Sequence, residues 1–171
     1  HLFGLPSSGL RFFTVYGPWG RPDMALSLFA EALIKNEQIN LFNHGKMFRD
    51  FTFVDDIVES IILVLLKPPK RNQNWKNLNP KPHTSAAPYQ LFNVGNGSPI
   101  PLIKYVEAIE KSLNLKGNYN MMDIQPGDVI STHADTSELE NYIGFKPKTN
   151  VEEGVQKFID WYKRYYDVNI D

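Results

Sequence analysis

The sequence predicts an α/β protein. Short apolar runs at Leu10–Tyr16, Ile39–Asn43 and Tyr89–Val94 alternate with longer segments of helical period. The first run stops abruptly in Gly17-Pro18-Trp19-Gly20-Arg21-Pro22, and open α/β sheets place ligands where a strand ends and the next loop opens. With 171 residues, 42% hydrophobic and 22% charged, the chain is long enough for one substantial core.

Taken in order, His1–Pro6 reads as the tail of a helix already under way, and the chain as the C-terminal part of a longer protein, a single portion over residues 1–171. Leu10–Tyr16 is the first strand. Asp23 is the expected N-cap of a helix reaching about Asn36, with Met24, Leu28 and Ala32 on one face and Leu26, Phe29 and Leu33 beside them. Ile39–Asn43 reads as a strand, His44-Gly45 as a turn, and Met47–Phe53 as a second short strand paired with Ile39–Asn43. Asp55 or Asp56 then caps a helix rich in β-branched residues. Being apolar almost all round, it is expected to be well buried.

Lys67–Gln90 holds five of the twelve prolines and reads as a long surface loop before the strand Tyr89–Val94. Gly95-Asn96-Gly97 is a turn, and Ser98 or Pro99 opens a helix to about Asn114 with Leu102, Val106, Ile109 and Leu113 as its stripe. Tyr119–Ile124 reads as a strand. Asp135-Thr136-Ser137-Glu138 matches a capping box, Gly144 a helix C-terminus, and Val151, Val155, Phe158, Ile159 and Tyr162 the stripe of a last helix.

Composition removes several function classes. The net charge is −1 and no basic cluster is large enough for a nucleic-acid footprint. The longest apolar run, Ile61–Leu66, is far short of a membrane span. Cysteine is absent, which removes disulfides and thiolate metal sites and fits a cytoplasmic setting. The four histidines lack metal-ligand spacing, and Ser7, Ser8 and Ser85 lack the context of a nucleophile elbow. No Gly-x-Gly-x-x-Gly follows a strand, so no first-turn pyrophosphate cradle is written into the chain.

Four motifs carry a resemblance. They are Gly9–Ala25 with its Gly-Pro-Trp-Gly-Arg-Pro-Asp-Met-Ala, Asn43–Asp56 with Arg49-Asp50-Phe51-Thr52-Phe53, Phe92-Asn93-Val94-Gly95-Asn96, and Gln125-Pro126-Gly127-Asp128-Val129 followed by Ala134-Asp135-Thr136. In this order and spacing the chain resembles the extended short-chain dehydrogenase/reductase family, and within it the UDP-glucuronate 4-epimerases most. The resemblance implies the C-terminal part of a Rossmann-like fold: late sheet strands plus a small substrate-binding lobe. It also implies NAD as cofactor, a UDP-sugar as substrate, transient oxidation at the sugar C4, a supply role for surface polysaccharide and a homodimeric full-length enzyme.

The family's Tyr-x-x-x-Lys pair has no counterpart where the resemblance expects it, so catalytic residues are expected upstream and this chain alone is expected to be inactive. What remains is substrate recognition. By resemblance, Thr14 faces the sugar and its C6 carboxylate, Arg21 lies in the substrate loop, Phe42 packs on uracil, Arg49 meets the diphosphate, Asp128 accepts from the ribose, and Phe13 passes the nicotinamide. Gln125 stands where galactose-type epimerases carry an Arg, which favours the glucuronate type. Each residue also has a plainer role: Thr14 bonded to backbone, Phe13 and Phe42 in the core, Arg21 paired with Asp23, Arg49 paired with Asp50, and Asp128 stabilising its turn. Rival functions are a UDP-galactose 4-epimerase, a UDP-glucuronate decarboxylase, a 4,6-dehydratase and a non-catalytic nucleotide-sugar binding module.

Overall fold

The computed structural model describes residues 1–75 and 81–169. Its elements are β1 (Ser7–Phe12), β2 (Thr14–Tyr16), α1 (Ala25–Ile34), β3 (Gln38–Leu41), β4 (Phe48–Arg49), β5 (Phe51–Phe53), α2 (Val54–Leu65), β6 (Tyr89–Val94), β7 (Ile100–Pro101), α3 (Leu102–Leu113), β8 (Asn118–Met121), α4 (Ser137–Ile143) and α5 (Val151–Tyr165). A 3-10 turn, Phe42–Gly45, joins β3 to β4.

Three strand pairs are parallel (β1 with β6, β2 with β5, β3 with β8) and one, β4 with β7, is antiparallel. Parallel partners require long crossovers, and the intervening helices supply them. The expected single strand Leu10–Tyr16 is divided at Phe13. The Phe13 N–H donates to the Val94 carbonyl (3.1 Å), and the next N–H, on Thr14, donates to the Asp50 carbonyl (3.2 Å). The chain therefore changes hydrogen-bonding partner between two adjacent residues, which turns β2 toward the site. The strands near Phe42 and Phe51 do not pair with each other as expected: β3 joins β8 and β5 joins β2.

The main core gathers one face each of α1, α3 and α5 around Tyr16, Phe51, Phe53, Tyr105, Phe158 and Ile159. Phe51 and Tyr105 stack with centroids 3.9 Å apart, and Tyr16 meets both rings edge-on. A second cluster (Ile57, Val64, Phe92, Val94 and Leu139) joins α2, β6 and α4. The α5 stripe is as expected, with Val155, Phe158, Ile159 and Tyr162 buried, and Gly144 ends α4 at φ 70°.

Several expectations are corrected. His1–Pro6 contains no helix. The helix expected from Asp23 begins at Ala25, because the Asp23 carboxylate is engaged by Arg21. Neither Asp55 nor Asp56 caps α2. Asp56 is buried and instead accepts the backbone N–H groups of Lys148 (3.2 Å) and Thr149 (2.9 Å). α3 starts at Leu102 and not at Ser98 or Pro99, since Ile100–Pro101 forms β7 first. The expected capping box is an Asx turn: Asp135 accepts from Ser137 N–H and Oγ, while Glu138 faces Lys81. Of the expected loop Lys67–Gln90, residues 76–80 lie outside the described residues.

The helix α2 also departs from expectation. Ile57, Ser60 and Val64 face the core, but Val58, Ile61, Ile62, Leu65 and Leu66 face out, the last two 75% exposed. The elements packed on α2 (β1, β2, β5 and α4) all cover its inner face. No helix among the described residues is long and apolar enough to cross a membrane.

Candidate functional site

The site begins at the end of β2. Gly17, at φ 140°, lets the chain turn where a Cβ would come within 2.6 Å of the Val54 side chain. The loop 17–23 then bends back through Gly20 N–H to Gly17 O (3.2 Å) and Met24 N–H to Arg21 O (3.2 Å). Trp19, in a left-handed backbone conformation at φ 63°, rests against Trp161 and Tyr165 at 5.3 and 5.0 Å.

Two neighbouring clefts open here and share Thr14, Met24, Ala25 and Phe51 as a common wall. The larger, ≈ 960 Å³, includes Phe13, Thr14, Trp19 and Arg21 in its lining. The smaller, ≈ 580 Å³, brings Thr14, Phe42, Arg49 and Asp128 together. These four are separated in sequence by up to 114 positions, so only the fold assembles them. The rest of that lining is mostly apolar, as small-molecule sites commonly are. It includes Met24, Leu28 and Ala32, the helix face that the periodicity had singled out without a role. The opposite face of α1 (Leu26, Ala30 and Leu33) enters the core. Two apolar stripes on one helix are thus divided between core and cleft.

The polar groups of the smaller cleft are firmly held. Arg49 donates through Nη2 to Asp128 Oδ1 (2.9 Å) and through Nη1 to the carbonyls of Phe48 (2.9 Å) and Ile130 (3.3 Å). The pair is partly buried, which strengthens it relative to a surface pair. Asp128 closes a Gln125–Asp128 turn by donating its N–H to Gln125 O (3.1 Å), with Pro126 and Gly127 (φ 84°) at the central positions a type II turn favours. The Thr14 hydroxyl makes no hydrogen bond among the described residues. Gln125 stands apart from both clefts, exposed in a shallow groove beside Phe42 and His44.

Two plainer roles can be decided by geometry. Arg49 does not pair with Asp50; it pairs with Asp128. Arg21 does pair with Asp23, bidentate at 3.1 and 3.0 Å. Both partners are well exposed, and such surface pairs contribute only about 0–1 kcal/mol. An arriving anion can therefore draw the guanidinium away at little cost.

Sequence reasoning missed Asp50. It is 0% exposed and, among the described residues, pairs with no cation. Its carboxylate accepts from the backbone N–H groups of Asn96 (2.9 Å), Gly97 (3.1 Å) and Ala134 (2.9 Å). The available signal was a charged residue inside an otherwise apolar strand pattern, where exposure had been the simpler reading. Elsewhere, Glu110 is also buried. Burial pushes its carboxyl up, but the Gly117 N–H, the Tyr119 hydroxyl and the Lys116 ammonium outweigh this, and the net direction is down.

Two tests bear on catalysis and cofactor. One Tyr-x-x-x-Lys spacing does occur, at Tyr142 and Lys146. However, the Tyr142 hydroxyl donates to the Lys67 carbonyl (2.6 Å), Lys146 pairs with Glu140 (3.6 Å), and neither lines a cleft. A dinucleotide needs glycines that leave room for its pyrophosphate. At five glycines the chain's own side chains fill the space (Leu91 at Gly9, Val54 at Gly17, Ala134 at Gly95, Tyr119 at Gly117 and Tyr16 at Gly154), while the open ones, Gly127 and Gly144, sit in the Gln125–Asp128 turn and at the end of α4 and line neither cleft. The described residues therefore offer a wall at Phe13 but no cradle, and do not by themselves fit an NAD molecule.

Residues 1–78 match the model of the NAD dependent epimerase/dehydratase family. The chain is 52% identical to Protein CapI of Staphylococcus aureus over 97% of its own length and 50% of that protein's. It is 42% identical to a probable UDP-glucuronate 4-epimerase of Rhizobium meliloti (strain 1021), over 97% and 49% of the two chains. Its structure is similar, with a TM-score of 0.77 and 26% identity, to the UDP-glucuronic acid 4-epimerase of Bacillus cereus in complex with UDP-glucuronic acid and NAD, covering 96% of this chain and 47% of that one. The chain thus spans about half the length of the curated relatives it matches, and its fold is that of the Rossmann-like epimerases and dehydratases.

Proposed function

The chain belongs to the NAD dependent epimerase/dehydratase family, and from that premise we propose that it is the nucleotide-sugar-holding part of a UDP-glucuronate 4-epimerase. The full enzyme would interconvert UDP-glucuronate and UDP-galacturonate with NAD, in a cytoplasmic setting and as a homodimer. The observation that carries this reading is the convergence of Thr14, Phe42, Arg49 and Asp128 on one cleft.

The roles follow from the chemistry of the side chains. The half-buried Phe42 ring offers an apolar face to uracil. Arg49, fixed by two backbone carbonyls and Asp128 and with only a weak 3.9 Å contact from Nη2 to Met47 Sδ, offers its Nε–H and that loosely held Nη2–H to the diphosphate. The second oxygen of Asp128 can accept from a ribose hydroxyl. Thr14 lies in the wall common to both clefts, so a UDP group in the smaller one directs its sugar toward the larger. There the free Thr14 hydroxyl and Arg21 would hold the C6 carboxylate. Gln125, which stands apart from both clefts, is given no contact with the ligand in this reading.

NAD meets this chain only at the Phe13 wall, and no catalytic Tyr-Lys pair lines either cleft. The contribution of these residues is therefore binding and orientation, with hydride and proton transfer left to residues outside this chain. The test is calorimetric titration of the chain with UDP-glucuronate and UDP-glucose. Native protein is expected to prefer the glucuronate, and Thr14→Ala to reduce that preference about tenfold, the scale of a hydrogen bond to a charged group. An unchanged preference would remove Thr14 from the site.

A further inference from the structure

The segment that carries Asp128 poses a structural problem. Residues 121–131 are exposed throughout, including Val129 and Ile130, so no hydrophobic burial holds them in place. Yet Asp128 must keep its position opposite Arg49 for the cleft to have a defined polar end. What fixes the segment is a short ladder along β4: Phe48 N–H to Ile130 O (2.8 Å) and Thr132 N–H to Phe48 O (3.1 Å). Ahead of that ladder, backbone bonds tie Met122 to Leu41 and to His44 (3.0 Å each), and an exposed side-chain pair ties His44 to Asp123. The segment's last tie is buried, and that tie is Asp50.

Asp50 makes contacts in four directions. Its carbonyl accepts from Thr14 N–H (3.2 Å), and its N–H donates to Thr132 Oγ1 (3.3 Å). One carboxylate oxygen accepts from Asn96 N–H, the other from Ala134 N–H, and Gly97 N–H reaches both. Among the described residues no cation faces this buried carboxyl group; backbone N–H groups do. Space around it is tight. A Cβ at Gly95 would lie 2.5 Å from Ala134 Cβ and 3.3 Å from Asp50 Oδ2. A carboxylate that uses both oxygens on fixed donors has a single orientation, so it transmits position from the strands to the segment.

The geometry points to Asp50 as the positioning residue of the smaller cleft: by pinning Ala134 and Thr132 it fixes the segment 128–134 on β4 and so sets the spacing between Arg49 and Asp128 that a nucleoside diphosphate meets. This rests on the nucleotide reading above for its ligand, but not for its mechanics. Asp50 touches no ligand-facing atom itself; it acts through Arg49 on one side, Thr14 on another and Asp128 through the segment.

The test uses Asp50→Asn, which keeps the shape but turns one acceptor into a donor facing backbone N–H groups. Thr132→Val, which removes only the hydroxyl that accepts from Asp50, is the milder second variant. Two quantities are read on folded protein. The first is amide hydrogen exchange at Phe48 and Thr132, against β1 amides as an internal standard. Exchange at those two sites is expected to rise about tenfold or more in Asp50→Asn and less in Thr132→Val, with β1 unchanged. The second is the ratio of UDP to uridine affinity, expected to fall about tenfold while uridine binding stays within about twofold.

A purely structural role would lower stability and leave that ratio intact, which would overturn the proposal. So would unaltered exchange at Phe48 and Thr132 in both variants. Native protein that binds UDP no better than uridine would contradict the nucleotide reading instead, and the exchange data would still decide whether Asp50 holds the segment. If Asp50→Asn does not fold, Thr132→Val decides both readouts alone.

Discussion

Arg49 sits at the junction of everything the smaller cleft can do for an anion. Its guanidinium is oriented by two carbonyls and one carboxylate, and less rotamer freedom remains to be lost on binding than for a free surface Arg. Arg49→Ala is therefore expected to weaken UDP binding about ten- to a hundredfold in a calorimetric titration, with little effect on uridine. Equal losses for both ligands would place Arg49 in the framework and not at the diphosphate. Three of the four residues that the fold gathers in this cleft stand in stretches the sequence singles out: Arg49 within Arg-Asp-Phe-Thr-Phe, Asp128 within Gln-Pro-Gly-Asp-Val and Thr14 within the apolar run Leu10–Tyr16, whereas Phe42 lies just outside the motif that begins at Asn43. Asp50 was not legible. Its meaning lies in N–H donors 46, 47 and 84 positions away, and no local pattern encodes backbone donors at such range. Arg21 shows a further limit: the same sequence, Arg-Pro-Asp, encodes both a loop ligand and a local ion pair, and the structure contains the latter.

At the scale of elements, helical periodicity located the bodies of α1, α3 and α5, composition that of α2 and end signals that of α4, and errors gathered at the ends. Asp23, Asp55, Asp56 and Asp135 were all read as caps because carboxylates favour that position. In the fold Asp23, Asp56 and Asp135 are engaged by Arg21, by the Lys148 and Thr149 N–H groups and by Ser137, while Asp55 lies two residues past the cap position Phe53. Glu110 is a carboxylate whose role can be tested by pH. It joins the end of α3 to β8 by accepting from Gly117 N–H (2.8 Å), Lys116 Nζ (2.9 Å) and the Tyr119 hydroxyl. Its carboxyl is lower in the folded state than in the unfolded chain, so the unfolded state binds the proton more readily. The stabilisation is fully present above the usual glutamate range and is lost as pH falls through the lowered folded value. Glu110→Gln is expected to cost about 1–3 kcal/mol at neutral pH in urea melts. The gap to native protein should narrow on acidification below that range. A gap that stays constant down to low pH would show that the charge of Glu110 is not what holds the two elements together.

Across the whole molecule, the most consequential departure from the sequence reading is α2. A helix apolar on all sides was expected to be surrounded, yet its outer face is open at Val58, Ile61, Ile62, Leu65 and Leu66. Periodicity reports which faces are apolar but not whether this chain supplies the cover. An apolar patch of this kind favours association. The chain on its own is expected to self-associate with rising concentration in sedimentation velocity, and Leu65→Glu to suppress this while changing stability by no more than about 0.5 kcal/mol, as for other surface positions. Concentration-independent monomers in native protein would show that the patch is too small or too broken to act. The fold class itself was legible from alternating strands and helices. The division of β1 from β2 at Phe13 was not, because Phe13 and Thr14 direct their N–H groups to different strands without any break in the apolar pattern.

Central to the proposed function is a UDP-sugar held in the cleft formed by Thr14, Phe42, Arg49 and Asp128. The most direct measurement is a calorimetric titration of the native chain with UDP-glucuronate, with the same titration repeated on Arg49→Ala. The account predicts one saturable site per chain, weakened at least about tenfold by the substitution. Absence of binding, or binding that Arg49→Ala leaves unchanged, would contradict it.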